Sequence, residues 1–211
     1  MNGKQLLQAL VIYDYARSSV IQKGFSGEVE WQRSLDLSTF SEQDLLREGS
    51  WVILCSGFRE ATIRRIFDYV SLCFCDWESS VEICRNSALC KAATMKVFAN
   101  EKKLDAILDL AQRIAIEGFA NIKHAILADP VQMLSTFSFL GPVTALHLAK
   151  NLGLDVAKPD RHLVRLSEYV GFSSVEKLCK DISEETGDRQ SVVDLVLWRY
   201  LAGASADSYD C

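Results

Sequence analysis

Along most of the chain, apolar side chains recur every three or four positions, the period of a helix that buries one face. Residues 101–117 show it most clearly: Leu104, Ile107, Leu108, Ala111 and Ile114 line one side, and Asn100 stands where an N-cap belongs. Residues 4–17 repeat the pattern, with Leu6, Leu7, Leu10, Val11 and Tyr15 as the stripe expected to face a core. Ser41, with Asp44 three residues on, opens a helix that reaches about Cys55. After a break at Ser56-Gly57 the pattern resumes over 59–77. Further helices are expected from Ser80, over 122–127, from Asp129-Pro130, from Thr144, after Asp160, from Ser174 and from Asp188. Residues 24–40, with Gly24, Gly27 and alternating Val29 and Trp31, read as irregular or briefly extended. Residues 205–211 read as a small, polar, disordered tail. The expected class is all-α, with about ten helices.

Composition narrows what such a chain can do. With 49% hydrophobic residues in 211, there is enough apolar surface for a real core. The longest apolar runs, such as Trp51-Val52-Ile53-Leu54-Cys55, are too short to span a bilayer, so no membrane role is expected. Met1-Asn2-Gly3-Lys4-Gln5 carries no secretory signal, which points to an intracellular protein, cytoplasmic in a prokaryote. The seven cysteines are odd in number, and the Cys73, Cys75, Cys84 and Cys90 spacings match no common zinc pattern. Reduced, core-filling thiols and no metal are expected. A net charge of −5 argues against broad affinity for nucleic acid. Residues 145–166 depart from that balance: Lys150, Lys158, Arg161 and Arg165 outnumber Asp155 and Asp160, a local net of +2.

Two of the chain's three prolines fall in the stretch FSFLGPVTALHLAKNLGLDVAKPDRHLVRL, residues 137–166. Gly141 gives a tight turn its freedom, Pro142 suits a first helical turn that needs no N–H, and Thr144-Ala145 continues into a helix. Two short helices joined this way form a helix-hairpin-helix. Its outward backbone N–H groups can hold a phosphate without side-chain charge. Many αα corners share such a turn, so the hairpin alone is ambiguous. Seventeen residues after Val143 comes Asp160, behind Pro159 and ahead of Arg161-His162-Leu163. An Asp there serves either as an N-cap or as a catalytic carboxylate, and the two roles are compatible.

Together, Phe137-Ser138-Phe139-Leu140-Gly141-Pro142-Val143-Thr144-Ala145 and Pro159-Asp160-Arg161-His162-Leu163 resemble the signature of the helix-hairpin-helix DNA glycosylase superfamily. That signature is a hairpin of the type Leu-Pro-Gly-(Ile/Val)-Gly-x-x-Thr-Ala, followed further on by an Asp, a His and an apolar helix. The resemblance implies a two-lobed all-α fold with the hairpin at the interlobe cleft: residues 1–40 plus 158–204 in one lobe, 41–157 in the other. It implies excision of a damaged or modified base from double-stranded DNA by a monomer, with Asp160 stabilising an oxocarbenium-like transition state and positioning water. Gly141, Val143 and Thr144 would bind DNA through the hairpin, and Arg59, Lys150, Lys158 and Arg161 through their charges. His147, Phe58 and Trp198 would line the base pocket. For these last three the plainer reading is a solvated helix face or core packing. The chain departs from the signature in three ways. Phe139 replaces the first hairpin glycine and Ser138 the proline. Val143 stands where bifunctional members carry a nucleophilic lysine, which implies no lyase activity unless another lysine, such as Lys150, substitutes. Only Cys179 and Cys211 lie beyond the hairpin, so no iron–sulfur cluster is expected; a monovalent cation at the hairpin stays open. The rival readings are a helix-hairpin-helix DNA-binding module without catalysis, and an all-α protein-interaction domain.

Overall fold

The computed structural model describes residues 3–207, and thirteen α-helices with one 3-10 turn carry the described residues, without a strand. In chain order they are α1 (Gly3–Gln22), α2 (Ser26–Ser34), α3 (Glu42–Cys55), α4 (Glu60–Cys73), α5 (Ser80–Arg85), α6 (Ser87–Thr94) and α7 (Glu101–Glu117). Then follow α8 (Phe119–Ala128), α9 (Pro130–Leu134), α10 (Pro142–Asn151), α11 (Arg161–Val170), α12 (Val175–Thr186) and α13 (Gln190–Asp207). The expected tail is helical as far as Asp207; residues 208–211 lie outside the described residues. No helix among them is long and apolar enough to cross a membrane.

The chain divides into two compact units, Met1–Leu35 with Gly153–Cys211, and Asp36–Leu152. In the first, α1 packs against α13, α12 and α11, and α2 against α13. This unit departs from the sequence expectation at two places. Residues 26–34 are helical, because tertiary contacts fix what the sequence leaves weak: Arg199 Nη2 reaches Glu28 Oε2 at 2.6 Å, and Arg189 donates to the Leu35 carbonyl just past the helix end. On α1 the buried face is Ala9, Tyr13, Ala16 and Val20, while Leu7, Val11 and Tyr15 are exposed. The helix is apolar on two sides, and Tyr13 decides which turns inward. Its hydroxyl donates to Asp188 Oδ2 at 2.7 Å, and Arg33 Nη2 donates to Asp188 Oδ1 at 2.8 Å. Burial pushes the Asp188 carboxyl up, but the hydrogen bonds from Tyr13 and Arg33 and the charges of Arg17 and Arg33 outweigh it and hold it below its ordinary value.

In the second unit α3 is central, packed against α7, α10 and α4. Ser41 and Asp44 close a reciprocal capping box at its start, as their spacing predicts. Gly49 lets α7 approach, since a Cβ there would lie 2.7 Å from the Leu110 Cδ2 atom. The buried Glu48 receives Asn151 Nδ2 at 2.9 Å, which ties α10 to α3; burial pushes its carboxyl up against the pull of Arg47 and Asn151. The helix expected over 59–77 ends at Cys73. Cys75, Asp76 and Trp77 then take positive φ (55°, 49° and 63°), a left-handed turn that drops Trp77 into the core against Phe74. Ser71 Oγ accepts its indole N–H at 2.8 Å. Such φ values cost roughly 1–2 kcal/mol per residue, and burying an indole with its N–H satisfied offsets this. The described cysteines are free thiols. Cys90 and Cys179 are buried, and burial together with the neighbouring Cys75 pushes the Cys90 thiol up to about 11.

Candidate functional site

The hairpin lies wholly in the second unit. Asp129 caps α9, its carboxylate accepting Gln132 N–H at 3.1 Å, with Pro130 at the first helical position. Arg113 from α7 fixes the far end of α9: it donates to Thr136 Oγ1 at 2.6 Å and stacks over the Phe137 ring, 4.5 Å from its centroid. The chain then turns at Phe139, whose φ of 65° is left-handed. Phenylalanine here holds a conformation that glycine adopts at little cost. Thr144 Oγ1 sits over the turn, within 3.3 Å of the Phe139 carbonyl oxygen and 2.9 Å of that of Gly141. Leu140 N–H closes on the Phe137 carbonyl at 3.1 Å.

Gly141 is the N-cap of α10 and offers no side-chain acceptor. The first intrahelical bond is Ala145 N–H to Gly141 O, at 2.7 Å. Among the described residues no acceptor takes the N–H of Val143 or Thr144, and Val143 is 46% exposed. Two backbone donors at a helix start are thus left without a protein acceptor among the described residues, an arrangement suited to one phosphate. Further along α10 the expectations fare unevenly. His147 is half-buried. Lys150 is only 4% exposed, because α10 packs on α9 and α3 with that turn inward. It is therefore off the surface where a phosphate contact was expected.

The loop between α3 and α4 belongs to the same unit. Gly57 takes φ 75°, Phe58 N–H closes on the Cys55 carbonyl at 3.0 Å, and Arg59 is exposed at the start of α4. Phe58 packs one side on Phe98, with centroids 5.2 Å apart, yet stays 43% exposed. Sequence reasoning missed the residue that organises this corner. Lys103, in the first turn of α7, is 3% exposed and sends its ammonium to the carbonyl oxygens of Ile53, Leu54 (3.0 Å) and Ser56 (2.6 Å). Those carbonyls end α3, where the helix dipole is negative. Burial pushes the Lys103 amine down to about 8. Its place in the sequence carried the signal: Lys103 precedes Ile107, Leu110 and Ile114 by four, seven and eleven residues, which puts it on the buried face of α7.

Asp160 lies in the first unit, at the N-cap of α11. A single oxygen makes both capping bonds: Oδ1 accepts His162 N–H at 2.8 Å and Leu163 N–H at 3.0 Å. Oδ2 accepts none among the described residues, and the side chain is half-buried. The expected helpers act elsewhere. Lys158 donates its backbone N–H to Asp194 Oδ1 at 2.7 Å and places its ammonium 5.9 Å from the Trp198 centroid. Arg161 Nε reaches His162 Nε2 at 3.4 Å. None of the three forms an ion pair with Asp160, whose carboxylate is held instead by two backbone amides at the start of α11. Trp198 is half-buried against the unit's core, with Arg199 over its ring at 4.7 Å.

No protein-family model matches the chain. Among solved structures it is similar to the Methanocaldococcus jannaschii 8-oxoguanine glycosylase/lyase in complex with a 15mer DNA containing 8-oxoguanine. The TM-score is 0.61 at 20% identity, over 90% of this chain and 96% of that one. The 8-oxoguanine DNA glycosylase of Thermotoga maritima matches with TM-score 0.61 at 18% identity, over 94% and 98% of the two chains. These likenesses extend over nearly the whole of each protein, and the chain has the all-α fold of these DNA glycosylases.

Proposed function

We propose that this protein is a DNA glycosylase that excises a damaged or modified base from double-stranded DNA by hydrolysing its N-glycosidic bond. The observation that carries the reading is the half-used carboxylate of Asp160. Its Oδ1 is pinned by two amides while Oδ2 is free to act. As the C1′–N bond breaks, the bonding electrons leave with the base and positive charge grows on the deoxyribose. A fixed carboxylate stabilises that charge. It also orients a water whose oxygen bonds to C1′ and whose proton passes to Oδ2. The open amides of Val143 and Thr144 would grip the DNA backbone, and the target base would leave the stack to react. The fold, shared with proteins that act on 8-oxoguanine, supports this reading and makes that base the first to test.

The reaction ends at hydrolysis. Val143 has no amine to form a Schiff base, and Lys150 is buried. The same reading takes a monomer that needs neither an iron–sulfur cluster nor a catalytic metal.

The test is Asp160→Asn in a base-release assay across a panel of lesion duplexes, headed by 8-oxoguanine. Asparagine keeps the cap, so the variant should fold and bind as the parent does. Release should fall by roughly 10²–10⁴-fold. Undiminished release would remove Asp160 from the chemistry. If the parent binds duplex but releases no base from any lesion, the protein is a helix-hairpin-helix binding module whose Asp160 is only a cap.

A further inference from the structure

The segment of chain that leads into Asp160 does not hold its own shape. Residues 154–160 carry neither helix nor strand. The backbone bonds within them, Val156 N–H to Leu154 O and Asp160 N–H to Lys158 O, each span only two residues. Their form comes from α13 and the residue before it. Arg189 Nη2 donates to the Gly153 carbonyl at 2.7 Å, and Asp155 Oδ1 accepts Ser191 N–H at 2.9 Å. The third tie comes nearest to Asp160: Asp194 Oδ1 accepts Lys158 N–H at 2.7 Å. Asp194 is 1% exposed. A carboxylate taken so far from water costs stability, and an amide in a surface turn could have met water instead. What such a bond supplies is a fixed position.

That position passes to Asp160 because the link between them is stiff. The ring of Pro159 fixes its φ, and Asp160 N–H closes back on Lys158 O at 2.8 Å. Asp160 then places Oδ1 on the amides of His162 and Leu163 as α11 begins. Lys158 is also held by its side chain, with its ammonium 5.9 Å from the centroid of Trp198. Trp198 lies one helical turn beyond Asp194, so a single face of α13 holds both the main chain and the side chain of Lys158. From this we infer that Asp194 is the positioning residue for Asp160: by holding the Lys158 amide it sets where the reacting carboxylate stands. The inference rests on the glycosylase reading above. Asp194 is buried and touches no DNA, so it acts on base release and not on the grip of the hairpin amides.

The experiment takes three readings: single-turnover base release from the best-processed duplex of the lesion panel, binding to a duplex with a tetrahydrofuran abasic analogue, and hydrogen exchange at the His162 and Leu163 amides without DNA. Asp194→Leu removes the acceptor. Release should fall roughly 10- to 100-fold with binding within about twofold of the parent, since displacing a reacting group costs rate more than affinity. Exchange at the two amides should rise about tenfold as the cap loosens. Asp194→Asn keeps an oxygen for Lys158 N–H and should hold release within about threefold of the parent. In an Asp160→Asn background, Asp194→Leu should cause no further loss, because it acts through that carboxylate. Should Asp194→Leu not fold, Asp194→Ser takes its place, with a hydroxyl too short for Lys158 and room for a water. Losses that multiply in the double variant would reduce Asp194 to a structural role and overturn the inference. So would an Asp194→Asn as impaired as Asp194→Leu, or release and exchange that both stay unchanged. If the parent releases no base from any lesion, the glycosylase reading falls and exchange alone decides. Faster exchange in Asp194→Leu then supports the clamp, and unchanged exchange overturns it.

Discussion

Asp160 and Phe139 are residues whose local roles are complete on paper yet leave something over. A cap needs one oxygen, and Asp160 has two. Asp160→Ala should therefore lose base release as Asp160→Asn does, and in addition lose about 1 kcal/mol of stability with the cap. Comparing the two melting curves separates the cap from the chemistry. At Phe139 the expected outcome is the reverse, since Phe139→Gly should raise stability by about 1 kcal/mol in urea titrations as the left-handed strain disappears. Val143 offers a third test: its exposed position has room for a longer side chain, so Val143→Lys should introduce a borohydride-trappable adduct with abasic DNA that the parent lacks.

Helices were legible wherever a cap and a stripe agreed. Ser41 with Asp44, Asn100 before α7, Asp129-Pro130 before α9 and Ser174 before α12 all mark real starts. Reading failed where contacts distant in sequence decide. Residues 26–34 fold as a helix because Arg189 and Arg199 reach back to them, and the face of α1 is chosen by Asp188. The hairpin turn and the cap at Asp160 were legible because their residue types are constrained locally. Lys103 was not, although it shares a face with Ile107, Leu110 and Ile114, because residue type alone places a lysine outside and its partners, the carbonyls that end α3, lie far off in sequence. Its burial makes a pH test. The amine titrates near 8 in the folded protein but near its ordinary value of about 10.4 when unfolded. Between those values the unfolded state binds more protons, so the lysine's cost to stability shrinks as pH rises from 8 to about 10.4. The stability difference between parent and Lys103→Met should move in the parent's favour across that interval, and stay flat below it.

Across the whole molecule, the two units are held by different means. The unit Asp36–Leu152 relies on close helix packing around α3. The other relies on a polar clasp, with Tyr13, Arg33 and Arg17 gathered on Asp188. Asp188→Ala should cost roughly 3 kcal/mol, since it strands a buried hydroxyl and a guanidinium. Asp188 titrates below its ordinary range, so the stability it contributes is complete above about pH 4 and lost as acid protonates it. Acid unfolding of the parent and of the variant should therefore converge at low pH.

The unit built from Met1–Leu35 and Gly153–Cys211 uses both ends of the chain, with the other unit inserted between them. On a ribosome this imposes an order. Residues 36–152 emerge as one uninterrupted stretch and can fold while synthesis continues. The first two helices must wait for α11 to α13 before Tyr13 meets Asp188 or Glu28 meets Arg199. Until then α1 lacks its most extensive packing partner, α13, and nascent chains arrested before residue 190 should be the form that chaperones hold.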